Sequence, residues 1–132
     1  MPLMTPAIRH GYRIATPVAS ITAANTPVTL FALPADGQTG VIRKLLIWSG
    51  QSGPTTVSIG DNSGPSGAFV KRLCDVNVAA SSNLTLAEDV LPNWEFGAGT
   101  TILVQASAAG AAPNDVRVQA EIELFVGSTP HG

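Results

Sequence analysis

The sequence is poor in charge. Only 12% of its 132 residues are Asp, Glu, Lys or Arg, and the formal net charge is −2. Nucleic acids and anionic membrane surfaces are bound through a basic field, which this composition lacks, so neither partner is expected. Low charge beside 45% apolar residues instead favours a surface partly covered by neighbouring subunits, since a freely diffusing domain normally owes its solubility to charged side chains.

Cysteine and histidine are almost missing. Cys74 is the only cysteine, and it lies in an apolar run, which is typical of a small buried side chain. The only histidines, His10 and His131, lie in the terminal segments, where order is least expected. A thiolate nucleophile needs a nearby base, and a metal site needs clustered ligands. We therefore expect no catalytic residues, no metal and no cofactor, and interpret the protein as non-enzymatic.

Two acidic motifs also favour structure over chemistry. The segment 61–64, Asp-Asn-Ser-Gly, faintly resembles the start of a calcium loop, but Arg72 occupies the twelfth position, where an EF-hand has a carboxylate. Glu121 and Glu123 fall on the predicted outer face of a strand, whereas a glycosidase pair lies in a cleft. A turn and a solvated or subunit-facing stripe are the expected outcomes.

Long hydrophobic runs and targeting signals are lacking as well. No stretch approaches the roughly 18 apolar residues of a membrane helix. Residues 1–6 have neither the charged start nor the apolar core of a secretory signal. The sequence therefore predicts a protein made in the cytoplasm and not anchored in a membrane.

The N-terminus is rich in proline. Pro2, Pro6 and Pro17 disfavour helix and predict an extended arm over residues 1–17. Two interpretations stay open, a frayed terminus or a segment that orders against a neighbouring subunit. The second is suggested by the apolar side chains of Leu3, Met4, Ile8, Tyr12 and Ile14. The length suits one domain, which we place at residues 18–127, followed by a short tail at 128–132.

Short apolar runs separated by Gly, Pro, Asn, Asp and Ser fill the rest of the chain, a pattern typical of sandwiches and barrels. We predict an all-β fold, a jelly-roll-like antiparallel β-sandwich of about eight strands. The predicted strands are 18–22, 28–33, 41–49, 55–61, 69–78, 84–88, 100–108 and 116–126. Residues 85–91 are also compatible with a single helical turn. The run 41–48 has apolar residues on both faces in its C-terminal half, which predicts a central strand whose second face is covered by an arm or a partner.

Besides Tyr12, three aromatic residues are candidates for contacts. Trp48 lies within an apolar run and is expected in the core, whereas Trp94, between Asn93 and Glu95, is expected at an exposed loop together with Phe96. Phe125 falls on the outer face of the alternating last strand. The predicted interaction residues are thus Leu3, Met4, Ile8, Tyr12, Trp94, Phe96 and Phe125.

The order of these segments resembles a family of small β-sandwich virion proteins of tailed bacteriophages. The resemblance covers about three-quarters of the chain: Leu-Pro-Ala-Asp-Gly at 33–37, the strands at 41–50 and 56–60, a Gly-Thr turn before 101–110, and the alternating last strand. The family usually has Pro-Ala-Gly in the first turn, where this chain inserts Asp36. Such proteins occur as capsid decoration proteins, head fibres and tail accessory proteins.

The resemblance implies a structural virion protein, most simply a capsid decoration protein that binds the capsid lattice as an oligomer. The implied partners are copies of itself, with a trimer suspected, and the major capsid protein or other virion proteins. Two alternatives remain at this stage. One is a tail-associated or connector protein. The other is a carbohydrate- or receptor-binding module at a tail tip, with Trp94 and the loop 61–67 lining a shallow site.

Overall fold

Two antiparallel sheets form the protein. The computed structural model describes residues 11–35, 37–73, 75–91 and 94–126, with the backbone alone at Asp89 and Val126. Within these residues the strands are β1 (Gly11–Ala15), β2 (Ala19–Ile21), β3 (Val28–Ala32), β4 (Gln38–Ser49), β5 (Thr55–Asp61), β6 (Val70–Lys71), β7 (Val76–Val78), β8 (Asn83–Leu86), β9 (Glu95–Phe96), β10 (Thr101–Ala106) and β11 (Val116–Val126). Two 3₁₀ turns, at Pro65–Gly67 and Glu88–Val90, are the only helical elements in these ranges.

The first sheet has the order β1-β11-β4-β8, with β2 also paired to β11 and β9 to β4. The second sheet has the order β3-β10-β5-β6, with β7 also paired to β5. Each sheet therefore has four strand positions, and most connections cross from one sheet to the other. This is the arrangement of a jelly roll. The predicted sandwich of about eight strands is confirmed.

The core lies between the sheets, because apolar residues alternate along the strands that face it. In β11, alternate residues from Val116 to Leu124 are at most 4% exposed. In β4 the register shifts opposite Glu121 and Ile122, so that Arg43 is an extra residue in the pairing with β11. After this bulge Leu45 and Ile47 point into the core, while Leu46 and Trp48 point outward and are partly exposed.

Thr16 explains why the first strand position consists of two pieces. Pro17 has no N–H to donate, so the edge ladder is interrupted there. Thr16 keeps the chain on β11 at this point: its N–H donates to the carbonyl of Ala120 at 2.8 Å, and its buried hydroxyl accepts from the Ala120 N–H at 3.0 Å. Gly11–Ala15, predicted as part of the arm, is therefore the first strand of the sandwich, while residues 1–10 lie outside the described residues.

Two predicted strands are divided. The segment predicted at 69–78 forms β6 and β7, because Arg72 and Leu73 both donate their N–H to the carbonyl of Ile59 and Leu73 turns into the core. The segment predicted at 84–88 is strand only to Leu86, and the single turn follows at Glu88–Val90.

Candidate functional site

The predicted arm residues are only partly within the described structure. Leu3, Met4 and Ile8 lie outside the described residues. Tyr12 lies on the edge strand β1, opposite Leu124, and is 47% exposed. Next along the same strand face, Ile14 packs against the core.

Phe96 is a core residue, which corrects its assignment to a surface loop. It is 2% exposed, and its ring lies over Gly40, where a Cβ atom would come within 2.6 Å of the ring. Because Gly40 has no side chain, the ring of Phe96 can occupy the space above its backbone. Trp94 packs on Phe96 with ring centroids 5.5 Å apart and an angle of 50° between the rings. Trp94 is consequently only partly exposed and is supported by the core.

Phe125 points to the outer face of the first sheet, as its alternation indicated, and is half-buried. It lies opposite Gly11 in β1, and its ring is 2.8 Å from the position of a Cβ atom there. Phe125 therefore covers the backbone of the edge strand and leaves only part of its ring for contact with another molecule.

Next to Phe125, an ion-pair cluster of four side chains crosses the outer face of the first sheet. Arg43 donates from Nε to Glu123 at 2.8 Å and lies 3.3 Å from Glu88, which also accepts from Arg13 at 2.9 Å. The two arginines and two glutamates neutralise one another, so the cluster carries little net charge. Surface pairs contribute only about 0–1 kcal/mol each, so the cluster orders the face more than it stabilises the fold.

Further along the same face, a cleft of about 420 Å³ opens beside Trp48. Its other lining residues include Val18, Gly50, Pro113, Asp115 and Arg117. The chain reaches this shape because the β10–β11 loop lies on the end of β4: a Cβ atom at Gly50 would overlap the carbonyl oxygen of Pro113, and the Gly50 N–H donates to the carbonyl of Asp115 at 2.9 Å. The expectation that Trp48 is a core residue is wrong, since its ring is a wall of this cleft.

Asp115 is the electrostatic centre of the cleft. Its side chain is 5% exposed, and Oδ2 accepts from Arg117 Nε at 2.9 Å and from the Ser20 hydroxyl at 2.7 Å. The hydrogen bond from Arg117 and then that from Ser20 lower the pKa of Asp115 against the effect of burial. The carboxylate therefore stays ionised and fixes the position of Arg117.

The loop after β5 is held by an arginine. Arg72 donates from Nε to Asp61 at 2.9 Å and from a terminal nitrogen to the Ser63 hydroxyl at 2.7 Å. Burial alone raises the pKa of Asp61, but hydrogen bonds from Ser63 and Arg72 outweigh it and leave the pKa lowered. The guanidinium of Arg72 thus occupies the carboxylate of Asp61 and the hydroxyl of Ser63, oxygen ligands that this loop would offer to a metal ion.

A second cleft of about 280 Å³ opens between the sheets at the edge formed by β7 and β8, and its lining is mainly apolar, with Asp75 and Asn77 as its polar residues. It reaches the core residues Leu45 and Ile59, and its mouth carries Val90, which is 62% exposed. Val18, Tyr12 and Val90 are the large apolar side chains exposed in the described structure, and two of the three line a cleft. We refer to the cleft at the edge formed by β7 and β8 as the inter-sheet cleft.

In the described part of the chain, no group of three or more His, Cys, Asp or Glu side chains is arranged to hold a metal ion. Likewise, none of the helical turns in those residues is long and apolar enough to cross a membrane. His10, Cys74 and His131 lie outside the described residues.

Sequence reasoning missed the cleft beside Trp48, although one signal was available. Lys44, Leu46 and Trp48 have the same parity in β4, and a lysine marks that parity as the outer face. The contribution of Asp115 and Ser20 had no comparable signal, because 95 residues separate them.

No known protein family matches the sequence, and no curated protein matches it either. The fold does match solved structures. A chain of the acid-stable capsid of Helicobacter pylori bacteriophage KHP30 is 16% identical with a TM-score of 0.53, covering 92% of this chain and 95% of that one. A chain of infectious bursal disease virus, Gx strain, is 12% identical with a TM-score of 0.50 over 92% of this chain and 33% of that one.

A chain of the disulfide-linked pili of Bacillus endospore appendages is also similar, at 15% identity and a TM-score of 0.46, covering 97% of this chain and 98% of that one. This chain spans about a third of the length of the bursal disease virus chain and nearly the whole of the KHP30 chain. The resemblance to β-sandwich virion proteins is thereby confirmed for the fold: this protein has a two-sheet sandwich of the kind found in viral capsids.

Proposed function

We propose that this chain is a structural protein of a tailed-phage virion, and within the virion a capsid decoration protein that binds the capsid lattice as an oligomer. The observation that supports this most is the match of one complete sandwich to one nearly complete chain of a phage capsid. The described surface is consistent with the proposal, since it offers clefts, exposed apolar side chains and paired charges.

Such a protein works by adding weak contacts. Each copy buries a modest apolar and hydrogen-bonding surface against its neighbours, and simultaneous contacts from linked copies raise the overall affinity far above that of one contact. Low surface charge assists this, because few charges must be desolvated when subunits meet.

We infer that the contact between copies is made by the N-terminal segment 1–10 of one copy in the inter-sheet cleft of the next. Seven of the nine residues that line the cleft are apolar, Val90 among them, and the segment supplies the apolar side chains of Leu3, Met4 and Ile8. Ten extended residues reach at most roughly 33–36 Å. The segment leaves the sandwich at Gly11 on the edge strand β1, whereas the cleft lies at the opposite edge beside β8.

A segment leaving one edge and a cleft at the other edge make a head-to-tail contact. Contacts of this type close into a ring when the rotation between copies allows it. A trimer is the ring we propose, in accordance with the resemblance, and Tyr12 lies where the segment leaves the edge.

The experiment compares three variants of the full chain with the unaltered protein by analytical ultracentrifugation. Val90→Asp places a charge at the mouth of the apolar cleft, and deletion of residues 2–10 removes the proposed occupant. We expect both to shift the chain to monomer at concentrations where the unaltered chain is oligomeric. Val18→Asp changes a similarly exposed valine, 49% exposed against 62%, outside the inter-sheet cleft, and we expect it to stay oligomeric.

The same proteins are then sedimented with gradient-purified particles of the phage whose genome encodes the chain, freed of the endogenous protein. We expect the unaltered chain and Val18→Asp to bind heads and the other two to bind at least about tenfold more weakly, since linked contacts are lost. Binding to tails alone would assign the chain to the tail-associated alternative, and no binding to any particle would refute the virion role.

A further inference from the structure

The outer face of the first sheet carries an ordered row of binding groups. The pairing register places Ser20 of β2, Arg117 of β11, Trp48 of β4 and Asn83 of β8 side by side. Directly opposed residues of antiparallel strands project from the same face. A hydroxyl, a guanidinium, an indole and an amide therefore follow one another across four strands.

Two members of this row, Trp48 and Arg117, line the cleft beside Trp48, and Asn83 is the neighbour of Trp48 on the next strand. Its volume of about 420 Å³ falls in the usual range for small-molecule sites, roughly 300–1,000 Å³. One wall is the indole of Trp48, and Pro113 and Val18 add apolar surface. Its polar lining residues are Ser49, Asp115 and Arg117. The cleft therefore combines apolar surface with a few hydrogen-bonding groups, as small-molecule sites do.

Arg117 is fixed in position by Asp115 and is partly exposed to solvent. Its Nε is engaged by Asp115 at 2.9 Å, while the guanidinium as a whole has five donor N–H groups. The side chain of Arg117 is 54% exposed and that of Asp115 5%. Asp115 is therefore a positioning residue, and Arg117 is the group that presents donors to solvent.

We propose that this cleft binds carbohydrate, with one pyranose ring stacked on Trp48 and its hydroxyls hydrogen-bonded to Arg117 and Asn83. A pyranose has C–H faces that pack on an aromatic ring and a rim of hydroxyls that both donate and accept. The row offers both kinds of contact. An apolar peptide side chain would use Trp48 but would form no hydrogen bond with the guanidinium of Arg117 or the amide of Asn83.

This inference goes beyond the structural role, since it holds for the isolated chain wherever the protein lies in a particle. It also moves the proposed sugar contact from Trp94, which is packed on Phe96, to the other tryptophan. Because the chain has two tryptophans, replacing either one leaves a single fluorescent reporter.

The test begins with the purified full chain on an array of mono- and oligosaccharides, followed by titration of the bound glycan with tryptophan fluorescence as the readout. In Trp94→Phe only Trp48 reports, and we expect its emission to change on titration with an unaltered Kd. In Trp48→Phe only Trp94 reports, and we expect no change.

Arg117→Gln removes the charge-assisted donors and is expected to weaken binding by about tenfold or more. Circular dichroism of each variant shows whether it is folded. If a tryptophan variant does not fold, Arg117→Gln still tests the proposal, because the side chain of Arg117 is 54% exposed. Three outcomes would overturn the proposal: no glycan bound at millimolar concentration, binding of Trp48→Phe and Arg117→Gln to the array that is as strong as that of the unaltered chain, or a fluorescence response from Trp94 alone.

Discussion

Asp115 connects the stability of the sandwich to the cleft beside Trp48. Its carboxylate accepts hydrogen bonds from Ser20 in β2 and from Arg117 in β11, so one side chain joins the edge strand to the centre of the sheet. The pKa of Asp115 is lowered by the hydrogen bond from Arg117 and then by that from Ser20. The pKa values of Asp61 and Asp75 are lowered too.

The sign of the pH dependence follows from these shifts. The unfolded chain binds protons at about pH 3.9, whereas the folded carboxyls bind them only at lower pH. The unfolded state therefore holds more protons as pH falls below about 5, and the free energy of unfolding decreases in acid. We expect Asp115→Asn to be less stable than the unaltered chain at pH 6, and the difference to shrink at pH 3.

Urea denaturation at the two pH values measures this difference. The control is Asp75→Asn, because the Asp75 carboxylate is 41% exposed and its ion pair with Lys71 is screened by water. We expect a smaller change for it at either pH. A deficit for Asp115→Asn that is the same at pH 6 and pH 3 would contradict the assignment of an ionised, hydrogen-bonded carboxylate.

Strand β1 decides where the N-terminal segment ends and the sandwich begins. Gly11–Ala15 pairs with β11 over five residues, Ile14 packs against the core, and Arg13 joins the ion-pair cluster. At concentrations low enough for the unaltered chain to be monomeric, we expect deletion of residues 2–10 to leave the melting temperature nearly unchanged. Deletion of residues 2–14 removes most of β1 and is expected to lower the free energy of unfolding by about 2 kcal/mol or more.

Thermal unfolding of the two truncated chains measures this contrast. A loss of about 2 kcal/mol corresponds to a decrease of roughly 5–10 °C in Tm for a domain of this size. Equal melting temperatures would show that β1 adds nothing to the sandwich. An equal large loss in both would show that the segment before Gly11 belongs to the fold.

Strands with long, regular alternation were predictable from the sequence. The bounds 55–61 and 116–126 agree with β5 and β11, since one face of each lies in the core. Strand β9 was not predictable, because its two residues are too few to show an alternation. Trp48 was assigned to the core because it lies in an apolar run, and such a run in β4 occupies both faces of the strand, so it does not by itself distinguish the inner face from the outer one.

The cleft could not be predicted for a different reason. Its row of side chains depends on the register between four strands that are far apart in the chain, and register is a tertiary property. Phe96 illustrates the same point. Its burial follows from the empty space over Gly40, 56 positions earlier, and nothing local distinguishes it from an exposed loop aromatic.

The whole molecule is one sandwich with different properties at its surfaces. The outer face of the first sheet carries the ion-pair cluster and the cleft beside Trp48, and one edge of the sandwich carries the inter-sheet cleft. The proposed contacts between copies and the proposed carbohydrate site use different parts of this surface. A decoration protein that binds sugar on its outward side is compatible with both.

A cryo-EM map of gradient-purified particles tests the central claim most directly. The account predicts this sandwich bound at regular positions on the capsid lattice, with residues 1–10 of one copy in the inter-sheet cleft of its neighbour and Trp48 facing solvent. A map in which no head density fits the sandwich, while the chain is present in the particles by mass spectrometry, would contradict the assignment to the capsid.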